Sequence, residues 1–165
     1  YMQEQDDVIN IGNTSVQLDI ASNIVAGFSE IQRKSDFQKE TGGILIGYYQ
    51  SLCNRLLITD MTHPQRKDLM ERFRFIRRSA GHQEIMDELW ESSGYRKSYL
   101  GEWHTHNEKV PKPSTVDINN WKKISQRIHN FDELFFIIVG TECIGFWTVR
   151  NASVVEIGRM KIIMR

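Results

Sequence analysis

The sequence predicts an α/β domain in which a mixed or largely antiparallel sheet is flanked by helices. Three observations lead there. Runs such as residues 44–49 and 134–139 are short, apolar and rich in β-branched or aromatic residues, as strands buried on both faces are. Between such runs lie stretches whose apolar residues recur every three or four positions, the mark of an amphipathic helix. The two kinds of segment interleave along 165 residues without a repeat, a linker or a low-complexity stretch. A single domain over residues 1–165 is therefore expected.

Residues 8–18 alternate apolar and polar positions around Gly12-Asn13, a hairpin signal. Asp19 or Ser22 is placed to cap a helix reaching about Lys34, with Ile20, Ile24, Phe28 and Ile31 on one face. Gly42-Gly43 precedes the buried strand 44–49, and residues 56–61 form another strand. Residues 63–70 are polar and contain Pro64, so a loop is expected. Residues 72–76 alternate and predict a short strand. Residues 79–92 have helical spacing, with His82, Ile85, Met86 and Leu89 on one face and Gly94 as the stop. A strand over 98–106 runs into a loop, 107–113, with two prolines. Ser114 then opens a helix with Ile118, Trp121, Ile124 and Ile128 as its apolar positions. Residues 134–139 and 143–149 read as strands around a turn at Gly140, and 154–164 as a last strand.

Twenty-one basic residues balance twenty-one acidic ones, which argues against whole-molecule attraction to nucleic acid or an anionic membrane. No apolar run approaches the roughly 20 residues that span a bilayer. The first residues are polar and acidic, unlike a secretory signal. Cys53 and Cys143 are far apart, lie in strand-like segments, and read as buried free thiols of a reducing compartment. A cytoplasmic location is the expectation.

Chemistry concentrates at Gly101-Glu102-Trp103-His104-Thr105-His106, which seven intervening residues separate from Ser114-Thr115-Val116-Asp117. Alternate side chains of a strand share a face, so His104 and His106 face one way and Trp103 and Thr105 the other. Asp117, in the first turn of the next helix, is a suitable third ligand once the proline-bearing loop turns the chain back. Two imidazoles and one carboxylate leave a fourth zinc position open for water, as in catalytic sites, and zinc lowers the pKa of that water. A base and an oxyanion donor are also needed. Glu40, just before the buried strand, suits the first role, and Ser114, three residues before Asp117, the second. Plainer readings compete. His-x-His occurs in strands without a metal, a lone Glu40 is a surface carboxylate, and Ser-x-x-Asp ahead of a helix resembles a capping box. His63, His82 and His129 have no matching partner and read as a loop residue, a helix-face residue and a helix-end charge.

Glu40-Thr41-Gly42-Gly43-Ile44-Leu45-Ile46-Gly47, His104-Thr105-His106 and Pro111-Lys112-Pro113-Ser114-Thr115-Val116-Asp117 together resemble the JAMM/MPN+ (JAB domain) metalloproteases. The resemblance implies one zinc ion per chain on His104, His106 and Asp117, with Glu40 as general acid/base and Ser114 as oxyanion stabiliser. It implies attack by a zinc-bound water on the bond after the C-terminal tail of a ubiquitin-like protein. Asn107 departs from the family's usual proline after the second histidine but removes no ligand. The Gly-Glu-Trp-His-Thr-His run is similar to the bacterial branch, and within it to JAB isopeptidases of antiphage CBASS operons. Those remove a conjugated CD-NTase (a cGAS-like nucleotidyltransferase) beside an E1/E2-like protein. Other bacterial relatives trim sulfur-carrier or ubiquitin-like precursors, and MPN domains lacking the ligands are non-catalytic scaffolds. JAB domains of DNA-repair-like proteins bring basic or helical DNA-binding additions that this chain does not show. In relatives an insertion can clamp an extended substrate tail; the resemblance implies that role for Arg72-Phe73-Arg74-Phe75 within residues 66–79, by strand addition with Phe73 and Phe75 as candidate substrate contacts, against the plainer reading of an ordinary edge strand.

Overall fold

The computed structural model describes residues 8–11, 17–127 and 133–161. One eight-stranded mixed sheet runs through it in the order β1 (Val8–Ile11), β2 (Gln17–Ala21), β4 (Arg55–Met61), β3 (Gly42–Gln50), β7 (Ser98–Thr105), β8 (Phe135–Val139), β9 (Cys143–Arg150), β10 (Ser153–Lys161). The β2–β4 and β7–β8 pairs are parallel and the rest antiparallel. The helices are α1 (Ser22–Lys34), α2 (His82–Ser92) and α3 (Thr115–Arg127). A second, two-stranded sheet pairs β5 (Leu69–Met70) with β6 (Phe75–Ile76).

The sheet buries both faces. On β8, Phe135, Ile137 and Val139 join the core that Ile24 and Phe28 of α1 complete, while Phe136 and Ile138 pack with Trp121 of α3 and Trp147 of β9. The period-two alternation of a strand thus serves two separate cores. This explains why residues 134–139 read as a continuous apolar run. Among the described residues, no helix is long and apolar enough to cross a membrane.

One irregularity aims the site. Leu45 of β3 pairs with Gly101 and Ile46 with Tyr99, so Leu100 is an extra residue on β7. This is a β-bulge, which turns the side chains beyond it to the other face. Leu100 and Trp103 therefore both enter the α1-side core although three residues apart. Glu102 and His104 consequently face α3. Gly101 has φ of 146°, and a Cβ there would lie 1.6 Å from the Phe135 carbonyl oxygen.

The segment between β4 and α2 is fastened by a buried polar chain. Asp68 accepts from the backbone N–H of Gln65 and of Arg78, each at 2.7 Å, closing the two ends of the segment on one carboxylate. His82 Nε2 donates to Asp68 at 2.6 Å. Thr62 donates to His82 Nδ1 at 2.6 Å and accepts the Ile44 N–H at 2.8 Å. This assignment fixes the His82 tautomer and leaves no polar atom of these three side chains unpaired.

Several expectations need correction. Asp19 and Ile20 belong to β2, not to a helix; Ser22 is the first residue of α1, and its N-cap, Ala21, makes no side-chain cap. The parallel β2–β4 ladder takes the first of the helically spaced apolar residues into the sheet. The hairpin partner of β1 continues to Ala21, and the Gly12-Asn13 turn lies outside the described residues. Within 63–70, Leu69–Met70 is strand, and of 72–76 only Phe75–Ile76 is. His82 is an anchor rather than a plain helix-face residue. Cys143 is buried, but Cys53 is exposed in the turn between β3 and β4. Ile128 and His129 lie outside the described residues.

Two glycines with positive φ separate backbone strain from crowding. Gly94, at φ 69°, ends α2, and a Cβ there would meet nothing within 4 Å. Gly94→Ala is expected to cost about 1 kcal/mol, and Gly101→Ala about 3 kcal/mol or more, because only the second drives a methyl into a buried carbonyl. Urea denaturation of the two variants measures the difference; equal costs would remove the steric role of Gly101.

Candidate metal centre

Three elements bring the site together. β7 carries His104 and ends at Thr105; the His106 N–H continues the ladder by donating to the Val139 carbonyl at 3.1 Å. Gly42 of β3 stands opposite His104, and continuing that antiparallel register by two residues sets Glu40 opposite His106. Hydrogen bonds carry the register on: Thr105 N–H donates to the Thr41 carbonyl at 2.9 Å, and Thr41 N–H to the Thr105 hydroxyl at 3.0 Å. Glu40 N–H in turn donates to the Glu71 carbonyl at 2.7 Å, so the fastened segment after β4 holds Glu40 from the other side. The third element is the start of α3. Trp121, one turn on, stacks on Phe136 and lies 6.2 Å from the His104 ring, backing it.

The resulting cluster is tight. His104 Nε2 and His106 Nε2 are 3.1 Å apart. Asp117 sets one carboxylate oxygen 3.2 Å from the first and the other 3.2 Å from the second. Glu40 Oε1 lies 3.6 Å from His106 Nε2. Glu40, His104 and His106 form a group whose ligand atoms all fall within 4.8 Å of one another, able to hold a metal ion. Tetrahedral zinc with bonds of 2.0–2.1 Å separates its donors by about 3.3 Å, which the spacing of the two imidazoles and Asp117 matches. All donors are nitrogen or oxygen, suited to a borderline divalent ion.

Ser114 and Asp117 also make the capping box. Asp117 N–H donates to Ser114 Oγ at 3.1 Å, and Ser114 N–H donates to Asp117 Oδ2 at 2.8 Å. The two readings of Ser-x-x-Asp are thus one structure. The cap orients the carboxylate, and its oxygens still reach the imidazoles. Ser114 Oγ spends a lone pair on the cap and keeps its proton free to donate.

Electrostatics among these side chains follow the crowding. Burial raises the Glu40 carboxyl above the usual range, outweighing the neighbouring histidines. Burial opposes ionisation of Asp117 too, but hydrogen bonds from His104, His106 and the Ser114 backbone hold it far below the usual range. Burial would lower His106; the hydrogen bond and charge of Asp117, with Glu40 and Glu108, reverse that and raise it.

Sequence reasoning missed several supporting residues. Glu108 Oε1 sits 2.9 Å from His106 Nδ1 and so turns Nε2 toward the cluster, as the outer partners of ligand histidines do. Its signal was the i, i+2 spacing from His106, too common to single out. A groove beside the cluster is walled by residues 73–77 and α3. Phe73 is exposed at its rim, whereas Phe75 is half-buried against Gly42, where a Cβ would lie 2.7 Å from its ring. The two phenylalanines are therefore not equivalent: one ring is free to meet a ligand, the other seats the wall.

The family model for prokaryotic homologs of the JAB domain matches residues 28–151. A Vibrio cholerae serotype O1 protein named CD-NTase/cGAS isopeptidase is 31% identical over 128 residues, covering 78% of each chain. A Pseudomonas aeruginosa protein of that name is 31% identical over 140 residues, 85% of this chain and 82% of the relative. One from Escherichia coli is 34% identical over 102 residues, 62% and 64% of the two chains. In shape the chain is similar to a solution structure of a Desulfitobacterium hafniense protein, with a TM-score of 0.57 over 84% of this chain and 88% of the other. At 14% identity that likeness shows the fold alone.

Ion binding at this cluster has a direct signature. A chelator-stripped sample should gain stability on adding a divalent transition metal, by about 2.7 kcal/mol at a free concentration one hundred times Kd. His104→Ala and Asp117→Ala should each abolish the rise in Tm; a full rise in either variant would locate the ion elsewhere.

Proposed function

The chain belongs to the prokaryotic JAB-domain family, and from that premise we propose that it is a zinc-dependent isopeptidase. Its substrate is a CD-NTase/cGAS-like protein, or a ubiquitin-like protein, joined through its C-terminal tail to a target lysine. The observation that carries the reading is the convergence of Glu40, His104, His106 and Asp117, with donor separations of 3.1 to 3.6 Å, in a chain whose relatives bear the isopeptidase name.

His104, His106 and Asp117 would hold the zinc, and Ser114 and Glu108 keep the carboxylate and the His106 ring in place. Zinc there supplies Lewis acidity, which lowers the pKa of water toward neutrality and polarises a carbonyl. Glu40, held by the Glu71 carbonyl and beside His106, takes the proton of the attacking water on a carboxylate oxygen. It then delivers that proton to the lysine nitrogen as the amide bond breaks. Ser114 donates its free hydroxyl proton toward the carbonyl oxygen as negative charge develops there. The tail lies in the groove along residues 73–77, where β6 offers an edge for β-strand addition and Phe73 a contact for a tail side chain. We place all 165 residues in one catalytic domain, working in the cytoplasm beside an E1/E2-like protein that makes the conjugate, within antiviral defence.

Two variants test the roles. Glu40→Gln should fold, keep about one zinc per chain and lose about 10² to 10⁴ in kcat on a tail–reporter fusion; near-normal turnover would dismiss Glu40 as the base. Phe73→Ala should raise KM with little change in kcat, since the ring is exposed and its contact with the Arg72 guanidinium, 5.1 Å away, is itself at the surface. Phe75→Ala should also lower Tm, because its ring is packed on Gly42. Unchanged KM in Phe73→Ala would remove the contact.

A further inference from the structure

We propose that the groove beside the cluster selects tails with acidic side chains about three to five residues before the scissile bond. This deepens the isopeptidase reading and rests on it for the position of that bond. The first observation is a helical stripe. Val116, Asn120, Lys123 and Arg127 recur on α3 at spacings of four, three and four, and all line the groove that holds Glu40, His104 and Asp117. The stripe starts at the cluster and ends on two cations.

The second observation is the charge on the facing wall. Arg74 and Arg77 line the same groove. Arg77 is bound to Glu102 at 2.7 Å, and Arg74 to Glu71. Outside the cluster, Glu102 is the one carboxylate lining the groove, and it is committed to Arg77. Among the described residues, Lys123 and Arg127 have no ion-pair partner, and both are exposed. The chain as a whole is electrically balanced, so this excess is local to the groove. Charge complementarity then favours an anionic occupant.

For a tail that follows the α3 wall away from the cluster, distance sets where the anions fall. At 1.5 Å per residue, Lys123 and Arg127 lie about 9 and 15 Å along α3 from Asp117. An extended peptide advances about 3.3 Å per residue, so those cations stand about three and five residues from a carbonyl at the cluster.

The test uses three tails of equal length fused through their C-terminus to a reporter, with Glu, Gln or Lys at the third to fifth residues before the junction. The ratio of kcat/KM for Glu over Gln tails should be about tenfold at low ionic strength, the scale of two exposed ion pairs, and approach one at high salt. The matching free peptides should bind Glu40→Gln protein in the same order by fluorescence anisotropy. K123E/R127E should invert the order, favouring the Lys tail, which a merely structural role would not do. Equal binding of the three peptides, or an unchanged order in the charge-reversed protein, would overturn the proposal. Ordered binding with no cleavage of any tail would instead count against the isopeptidase reading and leave the groove's preference standing.

Discussion

The arrangement of the site depends on the extra residue in β7. Without the bulge at Leu100–Gly101, the alternation that buries Leu100 in the α1-side core would send Glu102, His104 and His106 into that core as well. With it, Trp103 fills the apolar side, donating its indole N–H to the Thr62 carbonyl at 2.9 Å, while the imidazoles face α3. Gly101 is the residue that tolerates both the backbone angle and the approach of the Phe135 carbonyl. A backbone constraint on one side of the sheet thereby decides which chemistry the other side can present.

From that constraint the remaining parts converge by ordinary means. Cross-strand register delivers Glu40 to His106, and the helix cap at Ser114 delivers Asp117 to both imidazoles. The segment after β4 closes the third side. Its ends meet on Asp68, and the buried run through His82 and Thr62 ties it to β3, which begins two residues after Glu40. Breaking such a network leaves buried polar groups without partners, which costs about 1 to 3 kcal/mol for each group. Stability and the placement of Glu40 are therefore linked through residues that lie outside the cluster.

Much of this was legible in the sequence because it is written in short periods. The strands at 44–49 and 134–139 declared themselves by apolar runs, and His104, His106, Ser114 and Asp117 by spacing along adjoining elements. Glu40 was different: its partner lies more than sixty residues away, so its place before the buried strand only nominated it, and the resemblance to a family of known motif order tied it to the histidines. The bulge was not legible, since Gly101 reads like any glycine in a strand. Nor was the Asp68–His82–Thr62 chain, because its residues share no spacing and meet only when the sheet has formed. Asp19 misled for the opposite reason: a good capping residue ahead of a helical pattern was overruled by strand pairing with β4. Phe73 and Phe75 looked alike in an alternating run, and only packing against Gly42 distinguished them.

On the proposed function, two imidazoles and a carboxylate, set together by the bulge and the cap, hold the zinc on which hydrolysis depends. X-ray absorption at the zinc edge of the purified protein tests it most directly. The expected result is a four-coordinate ion with only nitrogen and oxygen neighbours at about 2.0 to 2.2 Å, two of them imidazoles. A sulfur neighbour at about 2.3 Å, or a first shell without imidazole scattering, would contradict it.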